Sequence, residues 1–186
     1  MVLITTAAQT LVSEVLEAGE IAIDATAGNG YDSQFLLSCV GEQGRVMACD
    51  VQQDAIDATR QRCCSARQLE LHQGDHAQLL MQFVNDYSNQ IGAVMFNLGY
   101  LPGGDKSVIT AATTTALALQ SSMQLLRAGG ILSVIAYVGH SGGCDEAIVV
   151  DEVLTQFVND YSASEAAWPD QNLPQNSPRL YAVTKN

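Results

Sequence analysis

Basic side chains are scarce in this chain. Lysine and arginine together number 8 in 186 residues, against 20 aspartates and glutamates, which leaves a net charge of −12. That balance repels phosphate backbones and argues against broad, charge-driven nucleic-acid binding unless a local basic patch offsets it. The only cluster, Arg60, Arg62 and Arg67, falls on one predicted helix, where a solvated face accounts for it. Long apolar runs are missing too: nothing approaches the ~20 residues of a membrane span. The opening segment lacks a basic stretch ahead of an apolar one, so neither a membrane partner nor a secretory signal is expected, and the expected compartment is cytoplasmic. Cysteines number 5, an odd total with no CxxC spacing, and no histidine stands close enough to complete a zinc pattern. A disulfide framework and a metal site are therefore not expected, and adjacent Cys63 and Cys64 read as ordinary helix residues.

What the chain has is core-forming material. Hydrophobic residues make up 47% and charged residues 15%. A length of 186 residues suits one domain, residues 1–186, able to bury roughly 70% of the surface its unfolded state exposes. The apolar spacing over Leu3–Ala18 predicts an opening helix, and IAIDA, Ile21–Ala25, a buried strand. Helices are predicted over Tyr31–Val40, Asp54–Ala66, His76–Tyr87 and Ala111–Arg127, the last stopped by Gly129 and Gly130. Another follows the GHSGG loop and runs to about Tyr161. Between them lie strands at Arg45–Cys49, Leu69–His72, Ile91–Phe96 and Ile131–Tyr137, and Ala163–Thr184 reads as a terminal hairpin. Strand and helix alternate regularly, so the expected class is α/β: a mostly parallel sheet with helices on both faces. A ligand would then lie at the carboxyl ends of the strands, where every unusual segment of the chain falls.

The first of those segments is DATAGNGYD, Asp24–Asp32. Gly28 and Gly30 let the backbone bend tightly and approach a ligand, and the helix beginning near Tyr31 aims its amides there. Asp50 stands at the end of the second strand, about 20 residues on, where a carboxylate accepts from a ribose diol. That placement serves NAD and S-adenosyl-L-methionine alike. Two features separate them. Ser33 occupies the position of the third glycine of the dinucleotide fingerprint. Asp24 would oppose a pyrophosphate yet suits the ammonium and sulfonium charges of S-adenosyl-L-methionine; it can equally organise the turn through backbone amides. Asp75 can accept from an adenine amino group, cap the next helix, or do both. His76 reads as an adenine neighbour or as a surface helix residue, and Gln52 as a further adenine or ribose contact.

Asn97 opens the loop NLGYLPGGDKS. Methylation of an amine needs a neutral nitrogen whose lone pair faces the methyl while acceptors hold its N–H groups, and an Asn side-chain oxygen can do this. Tyr100 can pack on a flat acceptor, and the same loop can equally be no more than a wide turn with Asp105 and Lys106 as exposed charges. His140 in the second glycine-rich loop is a candidate base or a backbone-binding residue. Metal assistance is not called for, because a sulfonium is already an activated leaving group.

DATAGNGYDSQFLL, ACDVQ, NLGYLPGGDKS and VGHSGG, in that order between Asp24 and Gly143, resemble the signature segments of the small bacterial rRNA methylase family. Some of its members convert wobble 5-aminomethyl-2-thiouridine of tRNA to the methylaminomethyl form. The resemblance implies a class I, Rossmann-like methyltransferase fold with strand order 3-2-1-4-5-7-6. It implies cofactor contacts around Gly28, Asn29, Gly30, Asp50, Gln52, Asp75 and His76, and an acceptor framed by residues 97–106 and 140–143. The expected cofactor is S-adenosyl-L-methionine, the catalytic candidates are Asn97 and His140, and the expected partner is the tRNA anticodon loop. The oligomeric state is left open, a homodimer included.

Overall fold

A computed structural model describes residues 3–64, 66–101, 103, 109–170 and 172–186. Six helices and seven strands occur among them, in the order α1 (Ile4–Ser13), β1 (Ile21–Asp24), α2 (Tyr31–Val40), β2 (Arg45–Asp50), α3 (Gln53–Arg62), β3 (Leu69–Gln73), α4 (His76–Tyr87), β4 (Ile91–Leu98), α5 (Ala112–Leu125), β5 (Leu126–Ala136), α6 (Gly143–Asn159), β6 (Ala163–Ala167) and β7 (Arg179–Lys185). The strands form one sheet in the order β3-β2-β1-β4-β5-β7-β6, the order the family resemblance implies. β1 to β5 run parallel, and β7 runs antiparallel to β5 and β6, so the terminal hairpin completes the sheet.

Alternation along the strands divides the core into two. Ala22, Val46, Ala93 and Met95 face the layer of α1 and α2, with Val12, Leu36 and Val40. Their neighbours Ile23, Met47, Val94 and Phe96 face the opposite layer, with Leu80, Leu119 and Leu154 of α4, α5 and α6. Consecutive strand residues point to opposite faces, so a sheet covered on both sides demands near-continuous apolar strands. Burying one such Leu or Phe side chain is worth about 1.5–3 kcal/mol. No helix among the described residues is long and apolar enough to cross a membrane.

Several boundaries differ from the sequence reading, each for a tertiary reason. The opening helix stops at Ser13 rather than Ala18, because the chain turns through Gly19 (φ +89°) into β1. α3 ends at Arg62, so Cys63 and Cys64 are not helix-interior residues: Cys63 is the buried cap and Cys64 takes a left-handed φ of 49°. α5 ends at Leu125, and the segment expected to finish that helix is extended and joined to β5. There Arg127 reaches Glu20 and the Val15 carbonyl. Gly130 lies so close to the backbone oxygens of Ile91 and Gly92 that a Cβ would stand 3.0 and 3.1 Å away. Finally, β4 continues two residues past Phe96, pairing Asn97 with Ile135 and Leu98 with Ala136 of β5. Asn97 is thus a strand residue, not the first residue of a loop.

Candidate active site

The carboxyl ends of β1, β2, β4 and β5 open into a cavity of about 1000 Å³. Of the residues singled out from sequence, Gly28, Asn29, Asp50, Gln52, Asp75, His76, Asn97, Tyr100 and His140 line it. Asp105 and Lys106 lie outside the described residues. No lysine or arginine occurs among the described lining residues, while Asp32, Asp50 and Asp75 do. Such a wall favours a cationic guest over a pyrophosphate.

Asp50 organises the cofactor end. Its Oδ2 accepts the Gly28 N–H at 2.9 Å and its Oδ1 the Gln52 N–H at 2.9 Å. A carboxylate offers about four lone-pair positions, so it retains acceptor capacity for a diol. Asp75 does cap α4: its Oδ1 accepts the amides of Ala77 (2.9 Å) and Gln78 (3.3 Å) while it borders the cavity. His76 is not a surface residue. It is buried, packed edge-on against Phe96 at 5.7 Å, and its Nε2 has no hydrogen-bond partner among the described residues. Burial holds this imidazole below its ordinary pKa, against the opposing pull of Asp75, Glu146 and Asp50. The residue borders the cavity, although this nitrogen is itself buried.

Two expected cofactor residues serve elsewhere. Asp24 points, like Ala22, toward α2; it is 1% exposed and does not line the cavity. Its carboxylate accepts the Ser33 hydroxyl at 2.6 Å and the Thr26 N–H at 3.2 Å, so it braces the turn. Gly30 does not line the cavity either. It caps α2 at φ +78°, and a Cβ there would stand 2.8 Å from Thr59 Cα, so it lets α3 pack against the loop.

Asp24 also makes stability depend on pH. Burial, then the charges of Asp32 and Asp50, raise its pKa to about 7, against the lowering effect of Ser33 and Thr26. A carboxyl whose pKa is higher in the folded than in the unfolded state stabilises the fold fully below its unfolded value, 3.8. That contribution fades as pH rises toward about 7. Asp24→Asn removes the titration while keeping groups that can pair with Ser33 and Thr26. The melting temperature of the variant relative to the parent is therefore expected to climb between pH 5 and pH 8; a constant difference contradicts the assignment.

The acceptor end is built around Asn97. Its N–H donates to Thr26 Oγ1 at 2.7 Å, and its side-chain Nδ2 donates to Asp32 Oδ2. Asp32 Oδ1 accepts from Gln9 of α1 at 2.7 Å. Opposite, Tyr100 meets the His140 ring edge-on at 6.0 Å. His140 Nδ1 faces the Ser141 carbonyl at 3.0 Å, and its Nε2, buried and unpartnered among the described residues, sits close to Gly143 and Gly99. With the proton on Nδ1 the ring would present an Nε2 lone pair.

Sequence reasoning passes over Asp32, Gln9, Thr26 and Tyr137, all in the lining. Asp32 stands in plain view inside GNGYD, but an acid in a helix's first turn is ordinary dipole chemistry. Arg62 is expected on a solvated face; instead its Nε donates to the Asn29 carbonyl at 2.5 Å and its guanidinium lies 3.5 Å over the Tyr31 ring. Arg67 falls beyond the end of α3.

Residues 46–184 match the family model described as "Putative rRNA methylase". A chloroplastic tRNA (mnm5s2U34)-methyltransferase of Arabidopsis thaliana is 35% identical in an alignment 162 residues long, which covers 79% of this chain and only 57% of that protein. A Clostridium thermocellum protein of the same rRNA-methylase description superposes with a TM-score of 0.89 at 33% identity, covering 100% of this chain and 99% of that one. A Streptococcus mutans protein, described as a methyltransferase and solved in complex with SAH, gives a TM-score of 0.84 at 28% identity, covering 100% and 99%.

Proposed function

The chain belongs to the rRNA methylase family, and from that premise we propose that it is a methyltransferase whose acceptor is the aminomethyl nitrogen of wobble 5-aminomethyl-2-thiouridine in tRNA. Residues 1–186 act as one catalytic domain. When bound, S-adenosyl-L-methionine supplies a methyl on a positively charged sulfur, open to displacement by a neutral amine. The observation that carries this reading is the Asn97 amide set in the wall of a cavity that Asp32, Asp50 and Asp75 line and that no described lysine or arginine enters. The Streptococcus mutans relative with its SAH supports the cofactor, and the Arabidopsis relative's name supports the acceptor.

The residues divide the work. Asp50, with the Gly28 and Gln52 amides tied to it, would hold the ribose hydroxyls, while Asp75 and His76 would meet the adenine. Asn97 would accept a hydrogen bond from the acceptor amine and turn its lone pair toward the methyl; positioning of this kind supplies most of the acceleration in such displacements. Tyr100 would pack on the flat base, and His140 would take a proton through Nε2. Asp105 and Lys106 are assigned to the acceptor as well. With 8 basic residues in the whole chain, few phosphates can be neutralised, so recognition rests on the target nucleotide and anticodon loop more than on a long backbone track. Cys39, Cys49, Cys63, Cys64 and Cys144 are all free thiols, which suits a reducing cytoplasm.

Protein incubated with S-adenosyl-L-methionine and tRNA carrying 5-aminomethyl-2-thiouridine is expected to yield the methylaminomethyl nucleoside, read by mass spectrometry. An unchanged wobble nucleoside overturns the reading, and transfer instead to rRNA or a free amine relocates the acceptor. Asp50→Ala is expected to weaken S-adenosylhomocysteine binding roughly tenfold in calorimetry, through lost charged hydrogen bonds and a freed Gly28 amide. Unchanged affinity removes Asp50 from the cofactor site.

A further inference from the structure

Asp32 has a geometry that the reaction outlined above does not yet use. It sits in the first turn of α2, 8% exposed, and borders the cavity. Its two oxygens each take a different primary amide: Oδ1 that of Gln9 at 2.7 Å, Oδ2 that of Asn97. A carboxylate only accepts, so each amide must present its nitrogen. The orientation of Asn97 is therefore dictated by its partner's chemistry. With one N–H of that nitrogen committed to Asp32, Oδ1 is the acceptor that the side chain keeps for a ligand. The backbone beneath is fixed as well, by the Thr26 hydroxyl and by pairing with Ile135.

We propose that Asp32 is a positioning residue for methyl transfer: by gripping Asn97 through its nitrogen it turns Oδ1 toward the acceptor, which selects nucleophiles that carry an N–H and disfavours those that offer only lone pairs. Gln9, reaching across from α1, holds the carboxylate in place. A nucleophile with no hydrogen to donate would bring its lone pairs against the Asn97 oxygen, which repels it. The inference rests on the methyltransferase reading and adds to it the residue that enforces an acceptor nitrogen bearing hydrogen.

Asp32→Asn replaces an acceptor-only group with one that can pair with either end of an amide, so Asn97 is free to turn over. In the aminomethyl-tRNA assay this variant is expected to lose kcat about tenfold or more, while KM for S-adenosyl-L-methionine and Kd for S-adenosylhomocysteine stay within about threefold of the parent. Because the effect passes through Asn97, the same substitution made on top of Asn97→Ala is expected to add nothing. If turnover of Asn97→Ala is too slow for that comparison, Gln9→Ala supplies it: a loss of a few-fold in the parent and none beside Asp32→Asn. Equal losses in both backgrounds overturn the proposal. So does cofactor affinity falling by the same factor as turnover, which would make Asp32 a direct partner of the cofactor's ammonium. A parent enzyme that leaves the tRNA unmodified overturns the functional reading, and this inference with it.

Discussion

Asn97→Ala is expected to lower kcat about 100-fold, close to 2.7 kcal/mol of transition-state stabilisation, with binding of S-adenosylhomocysteine unchanged. The contacts that keep β4 in place at this position are main-chain: the N–H donated to Thr26 and the pairing with Ile135. Alanine preserves both and removes only the amide. The residues assigned to the cofactor, on β2 and the first turns after β1 and β3, are untouched. The loss should therefore fall on kcat and hardly on KM for the cofactor, as expected for a group whose interaction matters in the transition state. Asn97→Asp should be no better, since it sets a second negative charge against Asp32. Steady-state kinetics beside calorimetry decide the matter: a raised cofactor KM with kcat intact would move Asn97 from the acceptor to the cofactor.

Gly30→Ala is expected to cost about 2–5 kcal/mol of stability, which for a chain of this size is a fall of about 10 °C in Tm. Two causes combine. At φ +78° an L side chain is strained, and its Cβ would lie 2.8 Å from Thr59 Cα and 3.1 Å from Thr59 Oγ1. Thr59 is fully buried, and its hydroxyl donates to the Gly28 carbonyl at 3.2 Å, so α3 cannot withdraw without dragging the glycine turn away from Asp50. Gly19 provides the control. It has φ +89°, and an added methyl there would meet nothing within 4 Å, so Gly19→Ala carries the backbone strain alone and should lose about 1–2 kcal/mol. If the two variants melt together, the contact with Thr59 is not what requires glycine at position 30.

Local chemistry makes part of this molecule readable in advance. α4 begins and ends where its sequence says, because Asp75 supplies an N-cap that acts within three residues. α2 likewise follows at once from the glycine turn and stops at Gly41, whose φ is +64°. What the sequence hides depends on groups distant along the chain. Asn97 reads as the start of a loop because a polar residue followed by Leu-Gly signals the end of a strand; only Thr26 and Ile135, from β1's turn and β5, hold it extended. The same holds for Leu126–Gly130, drawn out of the helix by Glu20 across the fold. Within the site, position along the chain reveals which residues gather at the strand ends but not which way they face. Asp24 and Asp32 both belong to the first motif, yet the pleat of β1 turns Asp24 inward and the first turn of α2 brings Asp32 to the cavity. Of these two carboxylates, the one that borders the cavity is Asp32, not Asp24.

One wall of the cavity comes from Thr5 and Gln9 in α1 and another from Asn176 and Pro178 just ahead of β7. During synthesis on the ribosome the first is made long before the second, with most of the sheet lying between them in sequence. A partly translated chain thus has no closed chamber in which to retain a nucleoside, and any help that ligand gives to folding comes after β7 has slotted in beside β5.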